Sequence, residues 1–191
     1  MAEIVLFHHV QGLTSGINAF ADRLRESGHT VHTPDLFNGH TFATLEEGID
    51  YAKSVGFGTI VDQGISEAEA LEPDLVYAGV SMGVMPAQQL AQTRAGAKGA
   101  LLIAACLPVT EFGESWPEDV PVQVHGMDAD PEFAGSGDLD AARALVESTE
   151  HAELFLYPGD THLFADSSLP SYHEEVTGLM TSRVLDFLST L

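Results

Sequence analysis

Basic residues and cysteine are scarce in this sequence. Seven Lys and Arg stand against 29 Asp and Glu, which gives a formal net charge of −22 at pH 7 with histidine neutral. A field of this sign repels polyanions, so the balance argues against nucleic acid and anionic membrane surfaces as partners. The one cysteine, Cys106, rules out an internal disulfide and is compatible with the reducing cytoplasm, where we expect the protein.

Long apolar runs are also absent. No stretch reaches the length of a membrane-spanning helix, and "MAEIVLFHH" has no basic region before its apolar run, so we expect no secretory signal. Hydrophobic residues make up 45% and charged residues 19% of the 191 residues, as in a globular chain with one sizeable core. We therefore predict a single domain over 1–191, as a monomer or a homodimer.

Apolar runs of strand type alternate with helical patterns along the chain. The predicted strands cover 4–10, 29–35, 74–80, 99–106, 121–126 and 152–158. The predicted helices lie within 17–28, 45–55, 59–71, 83–94, 139–149 and 171–191. This alternation predicts a mainly parallel sheet covered by helices on both faces. Right-handed crossovers then bring the carboxyl ends of the strands to one edge of the sheet, where sites normally form.

The segment "YAGVSMG" places Ser81 between two glycines, after a predicted strand and before a helix. The pattern Gly-x-Ser-x-Gly is short enough to occur by chance. In this context, however, it is typical of a nucleophile elbow, where glycines allow a sharp turn and close packing. The helix that begins at Met82 directs its backbone N–H groups toward developing negative charge. Pro86, just past the first turn, is a less favourable neighbour.

A serine nucleophile needs a base, and the base needs a group that orients it. His162 in "YPGDTHLF" directly follows the last predicted strand, and "MDADPEF" after the preceding strand offers Asp128 and Asp130. The order Ser, Asp, His with each residue at a strand end fits the nucleophile-elbow arrangement. One oxyanion donor is expected at the residue after the nucleophile, and the other in the loop after the first strand, near Val10 or Gln11.

Other chemistry finds less support. His8 and His9 are adjacent on a predicted strand and point to opposite faces, without acidic or cysteine ligands at suitable spacing, so we predict no metal site. Cys106 lies in an apolar run and is predicted to be buried and inert. A nucleotide-binding domain would need a glycine-rich phosphate loop after the first strand, and "HHVQGLTSG" lacks its spacing.

Taken in order, these motifs resemble the dienelactone hydrolase family of α/β-hydrolases over nearly the whole chain. The segment "VLFHHVQGLTSGINAFADRLRESGHTVHTPDLF" is similar to that family's first core strand, oxyanion loop, helix and following strand. The elbow is similar to "GVSMG", the acid loop to "HGMDADPEF", the base loop to "YPGDTHLFAD" and the closing helix to "RVLDFL". The resemblance implies a three-layer α/β-hydrolase-like fold with a reduced set of N-terminal strands.

The resemblance also implies which residues form the site. A triad of Ser81, Asp130 and His162 is expected, with the backbone N–H groups of Val10 and Met82 as the oxyanion hole. Asp130 is preferred because its Asp-Pro pair better matches the family's acid loop, and the other aspartate of that loop remains the alternative. No metal and no organic cofactor is implied.

Three positions depart from the best-known members of that family. Ser81 replaces a cysteine, and His9 stands where those members carry a glutamate that partners the thiol. Asp166 occupies a position four residues after the base that is often arginine where the substrate is a carboxylated lactone. We expect Asp166 near the mouth of the site, where it would disfavour anionic substrates. A small neutral or apolar acyl substrate is therefore expected.

The sequence thus predicts a hydrolase of small esters, lactones or thioesters that works through a Ser-His-Asp triad and an acyl-enzyme. The same residues could run acyl transfer if water is excluded. The alternative is a non-catalytic protein that keeps the fold to bind a small molecule or a protein. That alternative is motivated by the unusual residues around the site, His9, Pro86 and Asp166.

Overall fold

Six strands form one sheet in which all neighbouring strands are parallel. The computed structural model describes all 191 residues. The strands are β1 (Glu3–Phe7), β2 (Thr30–His32), β3 (Val76–Val80), β4 (Gly99–Ile103), β5 (Val122–Met127) and β6 (Ala152–Tyr157). Their order in the sheet is β2-β1-β3-β4-β5-β6. The predicted parallel sheet with a reduced set of strands is confirmed, and no strand in it is antiparallel.

Helices cover both faces of this sheet. They are α1 (Ser15–Glu26), α2 (Leu45–Val55), α3 (Phe57–Glu69), α4 (Val84–Thr93), α5 (Asp138–Ser148) and α6 (Glu174–Ser189). Helices α1 and α6 pack on one face, and α2 to α5 pack on the other. None of these helices combines the length and the apolarity that crossing a membrane requires.

The central strands β1, β3 and β4 read as nearly continuous apolar runs because both of their faces are buried. Ile4 and Leu6 of β1 join the apolar cluster under α1 and α6. Val5 and Phe7, whose side chains point the opposite way, join the cluster under α2 to α5. Strands covered on two sides therefore need no polar alternation, although β5 buries the polar side chains of Gln123 and His125.

The helix ends follow local signals. Thr44 and Glu47 form the predicted capping box, in which each side chain accepts a hydrogen bond from the other's backbone N–H at 3.2 Å. Pro86 is the third residue of α4 and is buried there, and the helix runs without a break through it. Proline is tolerated in the first turn of a helix.

Strand β2 covers only Thr30–His32 of the predicted 29–35. Strands β1 and β4 also end earlier than predicted, because the chain turns away from the sheet to form loops. The run 4–10 is a strand only as far as Phe7. The run 99–106 leaves the sheet after Ile103, where Ala104 takes a left-handed φ of 59°. Cys106 consequently lies beyond the strand and not inside it. Both departures occur at the carboxyl edge of the sheet, where space for a site opens.

Candidate active site

Ser81 occupies a strained turn between β3 and α4. Its φ is 51°, a left-handed value that costs about 1–3 kcal/mol for a residue other than glycine. A single 3₁₀ turn, Ser81–Gly83, leads directly into α4. A Cβ on Gly79 would collide with the backbone of Gly83, and a Cβ on Gly83 would collide with the carbonyl of Phe7. The two glycines therefore make the turn possible and let the end of β1 pass against it.

A histidine from the loop after β6 contacts this serine. The Ser81 Oγ lies 2.8 Å from the His162 Nε2, and the His162 Nδ1 lies 2.7 Å from the Asp130 Oδ2. A carboxylate only accepts hydrogen bonds, so the Nδ1 carries the proton and the Nε2 presents its lone pair to the serine hydroxyl. The structure thus brings the three predicted residues together with the histidine in the tautomer of a general base.

The two aspartates of the acid loop have different surroundings. Asp130 is fully buried, and its Oδ1 also accepts a hydrogen bond of 2.9 Å from the Glu132 N–H. Phe133 packs directly over Gly126 of β5, where a Cβ would collide with the ring, and this contact fixes the loop. Asp128 is exposed and accepts a hydrogen bond of 3.1 Å from a backbone N–H of the base loop. Asp130 contacts the base, whereas Asp128 braces the loop.

The loop after β1 adjoins the elbow, and its hydrogen bonds distinguish the two backbone donors considered there. The Gln11 N–H donates to the His9 Nδ1 at 3.2 Å, so it is not free. The Gln11 carbonyl accepts from the Phe42 N–H at 3.0 Å. The Val10 N–H makes no hydrogen bond within the protein. Of the two oxyanion donors considered for this loop, Val10 is the one that the structure leaves available.

A cleft of about 230 Å³ opens beside Ser81 and His162. Its walls are otherwise mostly apolar, and the side chains that form them are Met82, Met85, Ala104, Ala105, Leu107, Glu132 and Asp138. The side chains of Ser81 and His162 are therefore both accessible to a small ligand. The volume suits a compact acyl group.

The charged side chains that line this cleft, apart from the histidine, are acidic, and the sequence did not indicate which residues they would be. Glu132 and Asp138 line the cleft, and no Lys or Arg does. Burial raises the pKa of the Asp138 carboxyl, which accepts hydrogen bonds from the Cys106 N–H at 3.2 Å and the Ser136 hydroxyl at 3.0 Å. The signal that could have found Asp138 is its place in the first turn of α5, immediately after the acid loop.

The sequence model of the dienelactone hydrolase family matches residues 1–191. The chain belongs to the dienelactone hydrolase family. This membership supports a hydrolase of ester-type bonds. No curated protein matches the sequence significantly.

Solved structures share the fold at low sequence identity. A provisionally assigned dienelactone hydrolase from Klebsiella pneumoniae gives a TM-score of 0.77 at 19% identity, over 100% of this chain and 88% of that one. A promiscuous phosphotriesterase from metagenomic libraries, described as dienelactone hydrolase-like, gives 0.72 at 16% identity, over 100% and 87%. A cold-adapted esterase from an Arctic intertidal metagenomic library gives 0.63 at 19% identity, over 97% and 82%. These likenesses confirm the predicted α/β-hydrolase-like fold.

In this dienelactone hydrolase family member, Asp166 is buried and does not line the cleft. Its carboxylate lies 2.8 Å from the His9 Nε2 and also accepts hydrogen bonds from Thr14 and Ser168. Burial raises the pKa of this carboxyl, but the hydrogen bonds from His9, Ser168 and Thr14 outweigh that effect and lower it to about 2. The expectation that Asp166 lies at the mouth of the site and screens out anionic substrates is therefore wrong.

The remaining candidate groups are structural. Burial raises the pKa of the Cys106 thiol to about 12, so it stays protonated at neutral pH. Burial lowers the pKa of His8 to about 4, and its ring donates from Nδ1 to the His9 carbonyl at 2.8 Å and accepts from the Leu36 N–H at 3.0 Å. No group of three or more His, Cys, Asp or Glu side chains is arranged to hold a metal ion.

Proposed function

We propose that this protein hydrolyses small esters, lactones or thioesters through an acyl-enzyme on Ser81. The observation that carries the proposal is the continuous hydrogen-bonded chain from the Ser81 Oγ through His162 to the buried Asp130. A serine hydroxyl is a weak nucleophile on its own, and a correctly oriented base is what activates it. The proposal places the reaction in the cytoplasm, with which the single buried cysteine is compatible.

The reaction follows from the protonation states of the triad. As the Ser81 Oγ attacks the acyl carbon, the His162 Nε2 takes the hydroxyl proton, and Asp130 stabilises the imidazolium that forms. His162 then gives this proton to the departing alkoxide or thiolate. In the second half, His162 takes a proton from the attacking water, the acid is released and Ser81 regains its proton. No step needs a metal or an organic cofactor.

The negative charge that develops on the carbonyl oxygen needs donors fixed in advance. We assign this role to the backbone N–H groups of Met82 and Val10. Met82 follows the nucleophile in the first turn of a helical segment, where N–H groups lack helical partners and the helix dipole favours negative charge. Val10 supports the assignment because its N–H has no partner within the protein.

A fluorophosphonate probe tests whether Ser81 is the reactive nucleophile. We expect the wild-type protein to be labelled on the peptide that contains Ser81, and Ser81→Ala to show no label. Ser27→Ala, at an exposed serine after α1, is the matched control and should label normally. A wild-type protein that is folded by circular dichroism but takes no label would contradict the proposal and favour the non-catalytic binding protein.

The acidic cleft leads us to propose neutral acyl substrates over carboxylate-bearing ones. At an effective dielectric of about 20 and a separation of roughly 6 Å, two like charges repel by about 3 kcal/mol before salt screens them. A third of that energy corresponds to about fivefold in kcat/KM. Asp138→Asn should therefore raise the kcat/KM of a hemisuccinate ester relative to a butyrate ester by about fivefold at low salt, and Glu132→Gln should act in the same direction.

The control for this charge effect is Glu147→Gln, an exposed carboxylate on α5 that does not line the cleft. It should leave the ratio between the two esters unchanged. The effect of the cleft variants should also shrink as ionic strength rises. An unchanged ratio in both cleft variants at low salt would show that the acidic lining does not select the substrate.

A further inference from the structure

We infer that His9 and Asp166 are positioning residues of this site. Asp166 holds the His9 ring in the one tautomer that can accept the Gln11 N–H, and this bond keeps the neighbouring Val10 N–H directed for the oxyanion. The inference rests on the proposed acyl-enzyme mechanism, because it assigns these residues to the oxyanion loop of that reaction.

The tautomer of His9 follows from its two partners. The ring is completely buried, with its Nδ1 3.2 Å from the Gln11 N and its Nε2 2.8 Å from the Asp166 Oδ2. A backbone N–H can only donate, so the Nδ1 must present its lone pair. The Nε2 then carries the proton and donates it to the carboxylate. The ring is neutral, and both of its nitrogens are engaged.

Asp166 is held on every side, so it can act as a fixed anchor. Its Oδ2 also accepts the Thr14 hydroxyl proton at 2.5 Å, and its Oδ1 accepts from the Ser168 N–H at 2.8 Å and the Ser168 hydroxyl at 2.6 Å. Thr14 is itself the N-cap of α1 and accepts from the Ile17 N–H at 3.2 Å. The low pKa of Asp166 keeps it ionised throughout the working pH range.

The same loop fixes the peptide that carries the free donor. The His9 carbonyl and the Val10 N–H belong to one planar peptide and point in opposite directions. The carbonyl accepts from the His8 Nδ1 at 2.8 Å and from the Gly12 N–H at 3.0 Å. The next peptide is held by the bond from the Gln11 N–H to the His9 ring. The carbonyl of its own peptide and the N–H of the next peptide are both hydrogen-bonded. The Val10 N–H therefore has a fixed direction although it has no partner.

This arrangement also connects the loop that carries the base with the loop that carries the oxyanion donor. Asp166 lies four residues after His162, in the segment that follows β6, while His9 lies in the loop after β1. The hydrogen bond between His9 and Asp166, 157 positions apart, therefore links the base loop to the oxyanion loop, together with the bond from Thr14 to Asp166. A loop that merely needed tethering would not require a particular ring tautomer.

Amide replacements at His9 distinguish the hydrogen bond of the Nδ1 from that of the Nε2. In His9→Gln the amide nitrogen reaches toward Asp166 but no acceptor remains for the Gln11 N–H. In His9→Asn the amide oxygen stands near the Nδ1 position and can accept the Gln11 N–H, while the bond to Asp166 is lost. Asp166→Asn can donate to the Nε2, which would favour the opposite tautomer and again remove the acceptor.

The test compares kcat, KM and thermal unfolding of these variants on one p-nitrophenyl ester. Losing an oxyanion donor costs about 10²–10³ in kcat, so we expect His9→Gln and Asp166→Asn to lose about 10- to 100-fold in kcat with little change in KM. His9→Asn should keep at least about ten times the kcat of His9→Gln, even though it unfolds at a lower temperature. His29→Gln, at the opposite edge of the sheet, should match wild type.

The possible contrary results are distinguishable. Wild-type kcat in either His9→Gln or Asp166→Asn would overturn the inference alone. Equal kcat losses in His9→Gln and His9→Asn that follow their unfolding temperatures would do the same, because they would indicate a tether and not an orienting bond. Ester turnover that survives Ser81→Ala would overturn the proposed function, and this inference with it.

Discussion

Ser81→Ala and His162→Ala are each expected to lower kcat on any accepted ester by about 10³-fold or more. The reason is the 2.8 Å hydrogen bond between the Ser81 Oγ and the His162 Nε2, which makes the two side chains one chemical unit. Removing the serine leaves no atom to acylate, and removing the histidine leaves a hydroxyl with no base. The remaining rate should come from the oxyanion hole and substrate binding alone.

Steady-state kinetics of the two single variants and of the double variant would test whether the two side chains act as one unit. Because each loss alone disables the same step, the double variant should be little slower than either single one. Unfolding temperatures near wild type should accompany these losses, since both side chains are only partly buried. Near-wild-type turnover in either single variant would remove that residue from the mechanism.

Asp130→Asn is expected to lower kcat by about 10³- to 10⁴-fold. An amide at this position can donate to the His162 Nδ1, which would leave the Nε2 protonated and unable to accept the Ser81 proton. Asp128→Asn should lower kcat only a few-fold, because the Asp128 side chain accepts a hydrogen bond of 3.1 Å from the Gly159 N–H and does not contact the base.

Measuring kcat for the two asparagine variants under identical conditions decides between the two aspartates. The isosteric replacements keep the loop filled, so a stability change does not explain a large difference between them. Full activity in Asp130→Asn combined with a severe loss in Asp128→Asn would transfer the orienting role to Asp128.

The fold could be predicted because strands that are buried on both faces of a parallel sheet are mostly apolar, and such runs are visible in the sequence. Ile4 to Phe7 are all buried, and β3 and β4 are similarly apolar. Strand ends were predicted less well for the same reason. Ala104 to Cys106 are as apolar as β4, and hydrophobicity does not report that Ala104 takes a left-handed φ of 59° and turns the chain out of the sheet.

The triad geometry was accessible from the sequence because each of its residues follows a strand, and parallel strands end at one edge. The surroundings of Asp166 were not accessible in that way. Its position four residues after His162 says nothing about the direction of its side chain, and its partners His9 and Thr14 lie 157 and 152 positions away. The acidic cleft was missed similarly, because the acid loop folds back over the site before α5 begins.

The strand order also governs when reactivity appears during folding. Ser81 and its strained turn belong to one compact strand–turn–helix segment, but His162 is 81 positions further along the chain and arrives only when β6 joins the edge of the sheet. Long closures of this kind form late, because their entropy must be overcome before the contacts stabilise them. A chain still emerging from the ribosome, or one stalled with its last strand undocked, carries the nucleophile without its base. Under the proposed mechanism, such incomplete copies would not cleave esters, so activity would indicate that the whole sheet has formed.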